Sequence, residues 1–279
     1  MKKFFWILVF ALFIVIGLLF YTHFFSFRGF RVVFLNVGQG DAALVEFENG
    51  GRMLVDCGPD RKILQKLGEY LPFFDRRIDY LLVTHPDLDH YGGCSDVLKR
   101  YEIKNIVING EEKNYDNYWL TWKKYLDEER ANVLLVNHAQ AWQIASNTLE
   151  FLSPDPSLNI ESKDQEGNNF SIVFKLKFQE KTFLFTGDTE EDMENLLVEK
   201  YCATSTPCKA LASTYLKLGH HGSDTSSGEK FLNAVSPDTA IASVGKNKFG
   251  HPSRRIIRRL ERMGTDIWRT DEKGDMIIQ

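Results

Sequence analysis

The sequence predicts a layered α/β domain preceded by one N-terminal transmembrane helix, and three observations lead to this fold class. Short β-rich runs alternate with helical patterns throughout residues 31–279. Four of the turns that follow such runs carry His or Asp side chains, at positions where functional groups gather in layered α/β proteins. The first 30 residues lack this alternation and include 24 consecutive positions without Asp, Glu, Lys or Arg.

The uncharged segment, residues 4–27, is long enough to cross a bilayer, which takes about 20 apolar residues. A cleaved signal peptide is the alternative interpretation, but its apolar region is usually shorter and a small-x-small cleavage site should follow it. The segment Tyr21–Ser26 offers no such site. The sequence therefore favours an uncleaved membrane anchor.

The charges that flank this segment predict its orientation. Lys2 and Lys3 lie on the cytoplasmic side by the positive-inside rule, which places everything after Phe30 outside the cytoplasm. We therefore predict a single-pass membrane protein with an anchor over residues 1–30 and an extracytoplasmic domain over residues 31–279. A domain of that length is ample for one core or for two closely packed layers.

Six strands and three helices are predicted in the first half of the domain. The turn Gly38–Asp41 separates the first two strands, and Cys57–Pro59 ends the third. The predicted strands are Arg31–Val37, Ala42–Glu48, Arg52–Asp56, Asp79–Val83, Lys104–Asn109 and Val133–Val136. The predicted helices are Arg61–Tyr70, Cys94–Arg100 and Asn114–Arg130.

The second half continues the alternation after a polar, acidic loop over residues 154–168. The helix Glu190–Lys200 has an acidic first turn, as the helix dipole favours. Two short strands end the chain. The other predicted strands are Leu149–Ser153, Phe170–Phe178, Thr182–Thr186, Tyr215–Leu218 and Thr239–Val244. The other predicted helices are Ser227–Val235 and Ser253–Met263.

The four cysteines allow two disulfides in an extracytoplasmic domain, with three possible connectivities. Cys202 and Cys208 bracket a short loop, which is typical of a stapled segment. Cys57 and Cys94 each lie beside a segment that we predict to be functional, so they either pair or remain as buried thiols.

The turn after the strand Asp79–Val83 predicts a metal site. It contains four metal-capable side chains within six positions: His85, Asp87, Asp89 and His90. Imidazole and carboxylate are the ligands that bind first-row divalent ions in proteins. A polar loop that only caps a helix would account for one His and one Asp, but not for four such residues.

Three further turns follow strands and precede helices, and we expect them to converge on the loop at residues 85–90. They contain Asp188, the pair His220 and His221, and His251.

Together these motifs resemble the metallo-β-lactamase superfamily and, within it, the hydrolase domain of ComEC-type competence proteins of DNA internalisation. The resemblance implies a four-layer αββα sandwich with a dinuclear metal centre along one edge of its two sheets. The matching segments are Asn36–Asp41, Leu54–Gly58, Thr84–Gly93, Phe185–Asp188, Lys217–Ser223 and Gly250–Pro252.

The resemblance also implies roles for individual residues. His85 and Asp87 would hold one ion, Asp89 and His90 the other, and Asp188 would bridge them. His220 would supply the remaining ligand, while Asp41 would buttress the ligand loop. The residues implied in catalysis are Asp89, His221 and His251, of which the two histidines would support a ligand or donate a proton.

The sequence departs from the wider superfamily in two ways within the site. Asp87 stands where many members have His, and a carboxylate hardens the site, so we expect two divalent ions that are Zn²⁺ or Mn²⁺, with Mg²⁺ also compatible. The isolated His of many members is absent. His138 precedes a structural segment, and Asn168–Ser171 resembles what competence proteins have instead.

The architecture also differs from that of competence proteins. They surround this domain with many membrane helices, whereas one is predicted in this chain. The chain alone therefore cannot form a channel, and a partner channel protein remains unknown.

Two adjacent metal ions would acidify a bound water and clamp the attacked group, which suits phosphodiesters, lactones, thioesters and β-lactams. The fold alone does not choose among these substrates. The formal net charge of −4 excludes a global basic field, so nucleic acid would need a local patch. The cluster after His251 provides one: Arg254, Arg255, Arg258, Arg259 and Arg262, with Lys246 and Lys248 before it.

That basic cluster could hold single-stranded DNA beside the metal ions. Its alternatives are a solvated helix face or a face against anionic lipid. We therefore predict a membrane-anchored metal-dependent hydrolase, a nuclease or phosphodiesterase acting on DNA. The alternatives are an esterase acting on a phosphorylated cell-envelope component and an inactive binding module, and retention of the whole ligand set counts against the second.

Overall fold

A computed structural model describes residues 2–25, 29–113, 116–158, 167–202 and 208–279. Two seven-stranded sheets pack face to face, and each carries helices on its outer surface. The predicted four-layer αββα sandwich is therefore confirmed. The division into residues 1–30 and 31–279 stays a prediction.

The first sheet has the strand order β14-β1-β2-β3-β4-β5-β6, and the second has the order β13-β12-β11-β10-β9-β8-β7. The strands of the first sheet are β1 Arg31–Phe34, β2 Ala43–Glu46, β3 Arg52–Val55, β4 Arg77–Leu82, β5 Glu102–Ile108, β6 Asn132–Leu135 and β14 Met276–Ile278. The strands of the second sheet are β7 Gln140–Ile144, β8 Asn147–Ser153, β9 Val173–Phe178, β10 Lys181–Phe185, β11 Tyr215–Lys217, β12 Thr239–Ala242 and β13 Asp266–Arg269.

Nine α-helices lie within the described residues, and three-residue and four-residue 3₁₀ turns connect some of the strands. The helices are α1 Lys2–Phe25, α2 Lys62–Tyr70, α3 Leu88–Tyr91, α4 Cys94–Arg100, α5 Asn117–Glu128, α6 Glu191–Cys202, α7 Glu229–Val235, α8 Arg254–Met263 and α9 Thr270–Lys273. By length and composition, α1 is a candidate membrane span, as predicted.

Alternation along the strands builds three apolar clusters, because successive side chains of a strand point to opposite faces of the sheet. In β1, Val33 packs with α2, α4 and α5 on the outside of the first sheet. Val32 and Phe34 point the other way, into the cluster between the two sheets. A third cluster joins the second sheet to α6, α7 and α8.

Strand β7 was not predicted, and its composition accounts for this. It lies at the edge of the second sheet, its residues are exposed or half-buried, and Gln140 and Gln143 interrupt its apolar character. The predicted loop over residues 154–168 falls largely outside the described residues. So does the start of the predicted helix Asn114–Arg130, of which the part from Asn117 onward is helical.

The strand directions bring the predicted functional turns to one edge of the sandwich. Strands β3, β4, β5 and β6 are parallel to one another in the first sheet. Strands β10, β11, β12 and β13 are parallel in the second. The carboxyl ends of parallel strands share an edge, so the turns after β4, β10, β11 and β12 can meet there.

Both cysteine pairs form disulfides, Cys57–Cys94 and Cys202–Cys208, with sequence separations of 37 and 6. The first pairing has a direct relation to the ligand loop, because the Cys57 amide donates a hydrogen bond of 2.7 Å to the carbonyl of His90. The Cys57–Cys94 bridge and this hydrogen bond therefore attach the turn after β3 to the C-terminal side of the predicted metal loop.

Removal of the Cys57–Cys94 bridge is expected to lower the unfolding free energy by about 4 kcal/mol, and removal of Cys202–Cys208 by about 2 kcal/mol, since loop-closure entropy grows with loop length. The measurement is urea unfolding of the full chain in detergent, with each pair replaced by Ala. The shorter bridge is the matched control. Equal losses from the two double variants would contradict the expectation.

Candidate metal centre

The predicted ligand loop follows β4 directly and leads into the short helix α3. His85 and His90 are fully buried in it, and the turn that contains Gly40 packs on top of it. The Asp41 amide donates to the Asp89 carbonyl at 3.1 Å. A Cβ on Gly40 would lie 2.3 Å from that same carbonyl oxygen, so glycine is required for this close approach.

Four ligand-type side chains from three separate segments meet at this edge: Asp89, His90, Asp188 and His221. One potential ligand atom from each lies within 4.8 Å of the others. His90 Nε2 lies 3.2 Å from Asp188 Oδ1, and His221 Nε2 lies 3.1 Å from Asp89 Oδ2 and 3.3 Å from Asp188 Oδ2. The loops after β4, β10 and β11 therefore converge, as predicted.

His85 and Asp87 form a second group beside this cluster. The His85 and His90 rings lie 4.2 Å apart between centroids, and His85 Nε2 is 3.7 Å from Asp87 Oδ2. Asp87 also forms an ion pair with Lys113. Burial raises the pKa of Asp87, but His85 and Lys113 together lower it below its ordinary value.

The outer nitrogen of each buried imidazole in the four-residue cluster is already oriented by a fixed partner. His90 Nδ1 lies 2.8 Å from Asp56 Oδ2, and Asp56 also accepts from the Thr84 amide and hydroxyl, each at 2.8 Å. His221 Nδ1 donates to the Ser243 carbonyl at 2.9 Å. Partners of this kind fix the tautomer of metal-binding histidines and turn Nε2 toward the ion.

The donor set fits a divalent cation, because several of its buried atoms have no hydrogen-bond partner. These atoms are His85 Nε2, His90 Nε2 and Asp188 Oδ1, of which the last two lie 3.2 Å apart without the geometry of a hydrogen bond. A buried polar atom without a partner costs about 1–3 kcal/mol, so such groups need a ligand or an ion to compensate. Imidazole nitrogens and carboxylate oxygens at this spacing suit a first-row divalent ion.

The pKa shifts of the two buried histidines show that carboxylates dominate the charge of the cluster. Burial lowers the pKa of His90, but Asp188 and Asp56 raise it well above its usual value. Burial likewise lowers the pKa of His221, while Asp188 and Asp41 raise it well above the usual value. The carboxylates that cause these shifts give the cluster a concentration of negative charge that a bound cation would also neutralise.

Lys217 was not among the residues predicted for the site, but it is buried beside the carboxylates of Asp41 and Asp188. Its Nζ is 2.5 Å from Asp41 Oδ2 and 4.0 Å from Asp188 Oδ1, and it donates to the Leu218 carbonyl at 2.8 Å. Burial raises the pKa of Asp41, but Lys217 and His221 lower it to about 2. The sequence feature that could have identified Lys217 is its position as a lysine inside the otherwise apolar run Tyr215–Leu218.

His220 and His221 point in different directions, and this changes the expected division of roles. Both residues have positive φ angles, 45° and 55°, which non-glycine residues adopt only where the surroundings enforce them. His221 is buried in the cluster, whereas the His220 side chain is 26% exposed and its Nδ1 lies 3.2 Å from Glu190 Oε1. The structure therefore places His221 beside Asp89 and Asp188, in the position predicted for His220.

Glu190 organises a polar group around His220. Its Oε1 accepts hydrogen bonds from Asn168 Nδ2 at 3.2 Å and Thr225 Oγ1 at 3.1 Å. The hydrogen bond from His220 is the main cause that lowers the pKa of Glu190, so the carboxylate stays ionised. In the neighbouring segment Asn168–Ser171, Ser171 Oγ accepts a hydrogen bond from the Asp188 amide at 3.1 Å.

His251 lies at the open side of the site. Its ring centroid is 5.3 Å from that of His220 and 6.3 Å from that of His221. Burial and the two neighbouring histidines lower its pKa, so the imidazole favours its neutral form. His138, by contrast, is exposed beside Asn137 and does not join the site.

The basic helix α8 begins three residues after His251, and one of its five arginines does not face solvent. Arg254, Arg255, Arg258 and Arg262 are exposed. Arg259 is 8% exposed and donates through Nη1 to the carbonyl of Ser227, so it belongs to the packing between α8 and α7. Its inclusion in a surface for DNA is therefore corrected.

Comparison with known proteins identifies relatives. A model of the Metallo-beta-lactamase superfamily matches residues 35–246. The chain is 30% identical over 270 residues to "ComE operon protein 3" of Bacillus subtilis (strain 168), covering 88% of this chain and 32% of the relative. It is 35% identical over 201 residues to "Competence protein ComA" of Neisseria gonorrhoeae, covering 71% and 25%.

A solved structure supports the fold at lower sequence similarity. The diiron β-hydroxylase CmlA from Streptomyces venezuelae has a TM-score of 0.59 at 13% identity, covering 90% of this chain and 54% of that one. The chain spans about a third or less of the length of the two curated relatives named above.

Proposed function

Because the chain belongs to the metallo-β-lactamase superfamily and carries the site of a metal-dependent hydrolase, we propose that it is a dinuclear phosphodiesterase that cuts single-stranded DNA at a membrane surface. The observation that carries the proposal is the four-residue cluster of Asp89, His90, Asp188 and His221, with exposed cationic side chains next to it.

Two groups of residues would hold the ions. Asp89, His90 and His221 serve one, His85 and Asp87 serve the other, and Asp188 is shared. When bound, such ions acidify a water molecule and neutralise charge on the attacked phosphate. Lys217 holds Asp41 and lies near Asp188, which keeps the carboxylate-rich site compact.

A proton must reach the oxygen that leaves the phosphorus, and His220 is placed to supply it. Glu190 accepts from Nδ1, which leaves Nε2 free to carry the transferable proton. The contact with the Glu190 carboxylate also fixes the orientation of the ring. His251, 5.3 Å away between ring centroids, is the neutral neighbour through which the proton can be replaced.

The loop before His251 adds an aromatic surface for a base. Phe249 is 63% exposed, and its ring centroid lies 5.7 Å from that of His251. Asn247 Oδ1 accepts from the amides of Phe249, Gly250 and His251 at 3.0–3.1 Å, which holds the loop in one conformation. An exposed, fixed aromatic ring stacks on nucleobases of any sequence.

Cationic side chains precede and follow this ring in the chain. Lys248 Nζ lies 5.8 Å from the centroid of the Phe249 ring. The exposed arginines of α8 continue the positive surface, which is local because the whole chain has a net charge of −4. A ring for base stacking beside cations for phosphates is the combination that single-stranded nucleic acid requires.

The relatives and the cysteines support the cellular setting. One of the two relatives named above, that of Neisseria gonorrhoeae, is a competence protein by name, although this chain spans only part of its length. Two disulfides suit an oxidising compartment outside the cytoplasm. The proposal places α1 across the membrane, the domain outside the cytoplasm, and any channel in a partner protein.

The test compares two substrates across salt concentrations. Cleavage of single-stranded DNA at subsaturating concentration is expected to fall steeply with salt, because each neutralised phosphate releases counterion. Arg254, Arg258 and Arg262 changed together to Ala should weaken DNA cleavage by about 10-fold or more at 100 mM salt. Hydrolysis of bis-p-nitrophenyl phosphate should be nearly unchanged in the same variant, since its ligand set is intact.

Matched controls separate the contributions. A triple Lys variant at the same three arginines should keep most of the DNA activity, and Phe249→Ala should lower DNA cleavage without changing the salt slope. If the triple Ala variant cuts DNA as well as the parent does, the helix face takes no part. If the protein cleaves the small diester but never DNA, the esterase acting on a phosphorylated envelope component becomes the better assignment.

A further inference from the structure

We infer that the loop between α2 and β4, residues 71–76, contacts the lipid surface through Phe73 and Phe74, so that the metal centre faces away from the bilayer. We call this segment the aromatic loop. The inference rests on the proposed anchoring of α1 in a membrane, but not on the reaction that the metal centre performs.

The aromatic loop exposes two large apolar side chains in succession. Phe73 is 73% exposed and Phe74 is 48% exposed. A phenylalanine as exposed as Phe73, followed by a second one that is about half exposed, is costly in water and marks a surface that contacts something apolar. The exposed Arg76 and Arg77 follow directly, and aromatic side chains with neighbouring cations are the combination found where proteins meet lipid headgroups.

The position of the loop selects lipid over other apolar partners. Arg31, the first residue of β1, donates from Nη2 to the carbonyl of Tyr70 at 3.4 Å, and its guanidinium carbon lies 5.4 Å from the Tyr70 ring centroid. Phe73 is only three residues beyond Tyr70. The aromatic loop therefore lies beside the point where the chain enters the first sheet.

The membrane must lie close to that same point. Helix α1 ends at Phe25, six residues before Arg31. Six residues reach at most about 20 Å, at about 3.5 Å per residue. With α1 in a bilayer, the aromatic loop is consequently held within reach of the headgroups whatever path the linker takes. No second protein is needed to bring the two together.

A further contact fixes the direction in which the loop is presented. Arg52 Nη1, at the start of β3, lies 3.1 Å from Asp75 Oδ2 of the loop. Arg31 and Arg52 are the first residues of β1 and β3, and β4 begins directly after the loop at Arg77. The aromatic loop thus belongs to the edge of the sheet where these three strands begin.

The metal centre belongs to the opposite edge. Strands β3 and β4 are parallel, and β1 runs in the same direction because both β1 and β3 pair antiparallel with β2. Asp56 and His85 follow the carboxyl ends of β3 and β4, and Asp41 follows β1. Strand β4 has six residues, so the two edges are separated by about 20 Å at about 3.3 Å per residue.

This geometry has a consequence for the substrate. A domain that rests on the bilayer through its aromatic loop turns the metal centre toward the aqueous phase. Its substrate then approaches from solution or from a partner above the domain, and a headgroup of the same membrane cannot reach the ligands. The orientation favours a soluble polymer over a lipid-linked substrate.

The test uses the full chain with one added thiol, which is possible because all four natural cysteines are in disulfides. Phe73→Cys is labelled with an environment-sensitive fluorophore and reconstituted into vesicles of phosphatidylcholine and phosphatidylglycerol. Phe249→Cys is the matched control, an exposed phenylalanine near the metal centre. Leu12→Cys reports on α1. Quenching is measured with lipids that carry a quencher near the headgroup or deep in the acyl chain.

The expected result is strong quenching at position 73 by the shallow quencher, with a blue shift of the emission, and no quenching at position 249. Insertion at the interface reaches only about 5–10 Å, so the deep quencher should act less at position 73 than at position 12. If position 12 is quenched and position 73 is not, α1 lies in the membrane but the aromatic loop does not contact lipid. A protein partner would then be the better assignment for the aromatic loop. If position 12 is also unquenched, the anchor fails and the inference fails with it.

Discussion

Asp188→Ala is expected to remove most of the bound metal and at least about 10³-fold of the activity toward a small phosphodiester. The side chain places one oxygen 3.2 Å from His90 Nε2 and the other 3.3 Å from His221 Nε2. Loss of this carboxylate leaves two buried imidazoles with less opposing charge. Metal ions contribute several kcal/mol to such reactions, and each 1.4 kcal/mol, approximately, corresponds to a tenfold change in rate.

The measurement is metal content per chain by elemental analysis, together with hydrolysis of bis-p-nitrophenyl phosphate after metal supplementation. Asp192→Ala is the matched control, because Asp192 is an exposed carboxylate in the first turn of α6, four residues away. The control should bind as much metal as the parent. A parent that holds no more than trace metal after supplementation, or an Asp188→Ala variant that keeps its full metal content, would contradict the assignment.

Much of the fold could be predicted because the spacing of apolar residues along the chain indicates which faces of the strands and helices are buried. Val32, Val33 and Phe34 are all apolar since β1 is covered on both faces, and the same reason makes the run before His85 apolar. The meeting of Asp89 and His90 with side chains of other turns could be predicted, because functional groups of layered α/β domains gather where strands end. Edge strand β7 could not, since one of its faces needs no apolar side chains.

The roles of His220 and His221 could not be separated from sequence. The two residues are adjacent, and their directions depend on a pair of positive φ angles that the tertiary structure imposes. Side-chain direction at such positions follows from neither strand nor helix periodicity. Contacts from distant segments, such as the carbonyl of Ser243 for His221 and the carboxylate of Glu190 for His220, orient the two rings.

Arg259, in contrast, could have been excluded from the DNA surface by helical periodicity. It lies three positions after Ile256 and one before Leu260, on the stripe of α8 that faces the core. Arg254, Arg258 and Arg262 repeat every four residues on the other side and are exposed. An arginine of a basic helix therefore contributes to a binding surface only when it lies on the face of the helix that is exposed to solvent.

His221→Ala and His220→Ala are expected to fail in different ways, although the two residues are neighbours in the chain. His221→Ala should lower metal content by about one ion and slow every substrate by more than about 100-fold, because even the partners that orient a ligand contribute 10-fold to 100-fold. His220→Ala should keep its full metal content. Its activity should depend on the leaving group, since a lost proton donor costs about 10²-fold to 10⁴-fold only where a proton is needed.

The two substrates of the DNA test make this difference measurable. The p-nitrophenolate of bis-p-nitrophenyl phosphate leaves without a proton, whereas the sugar oxygen of DNA needs one, so His220→Ala should hydrolyse the small diester nearly as fast as the parent and DNA far more slowly. Glu190→Gln should share this pattern, because Glu190 lies 3.2 Å from His220 Nδ1 and is not a member of the cluster of Asp89, His90, Asp188 and His221. Metal loss in His220→Ala together with full metal retention in His221→Ala would restore the assignment that the sequence alone suggested. Equal slowing of both substrates in His220→Ala at full metal content would instead remove His220 as the proton donor.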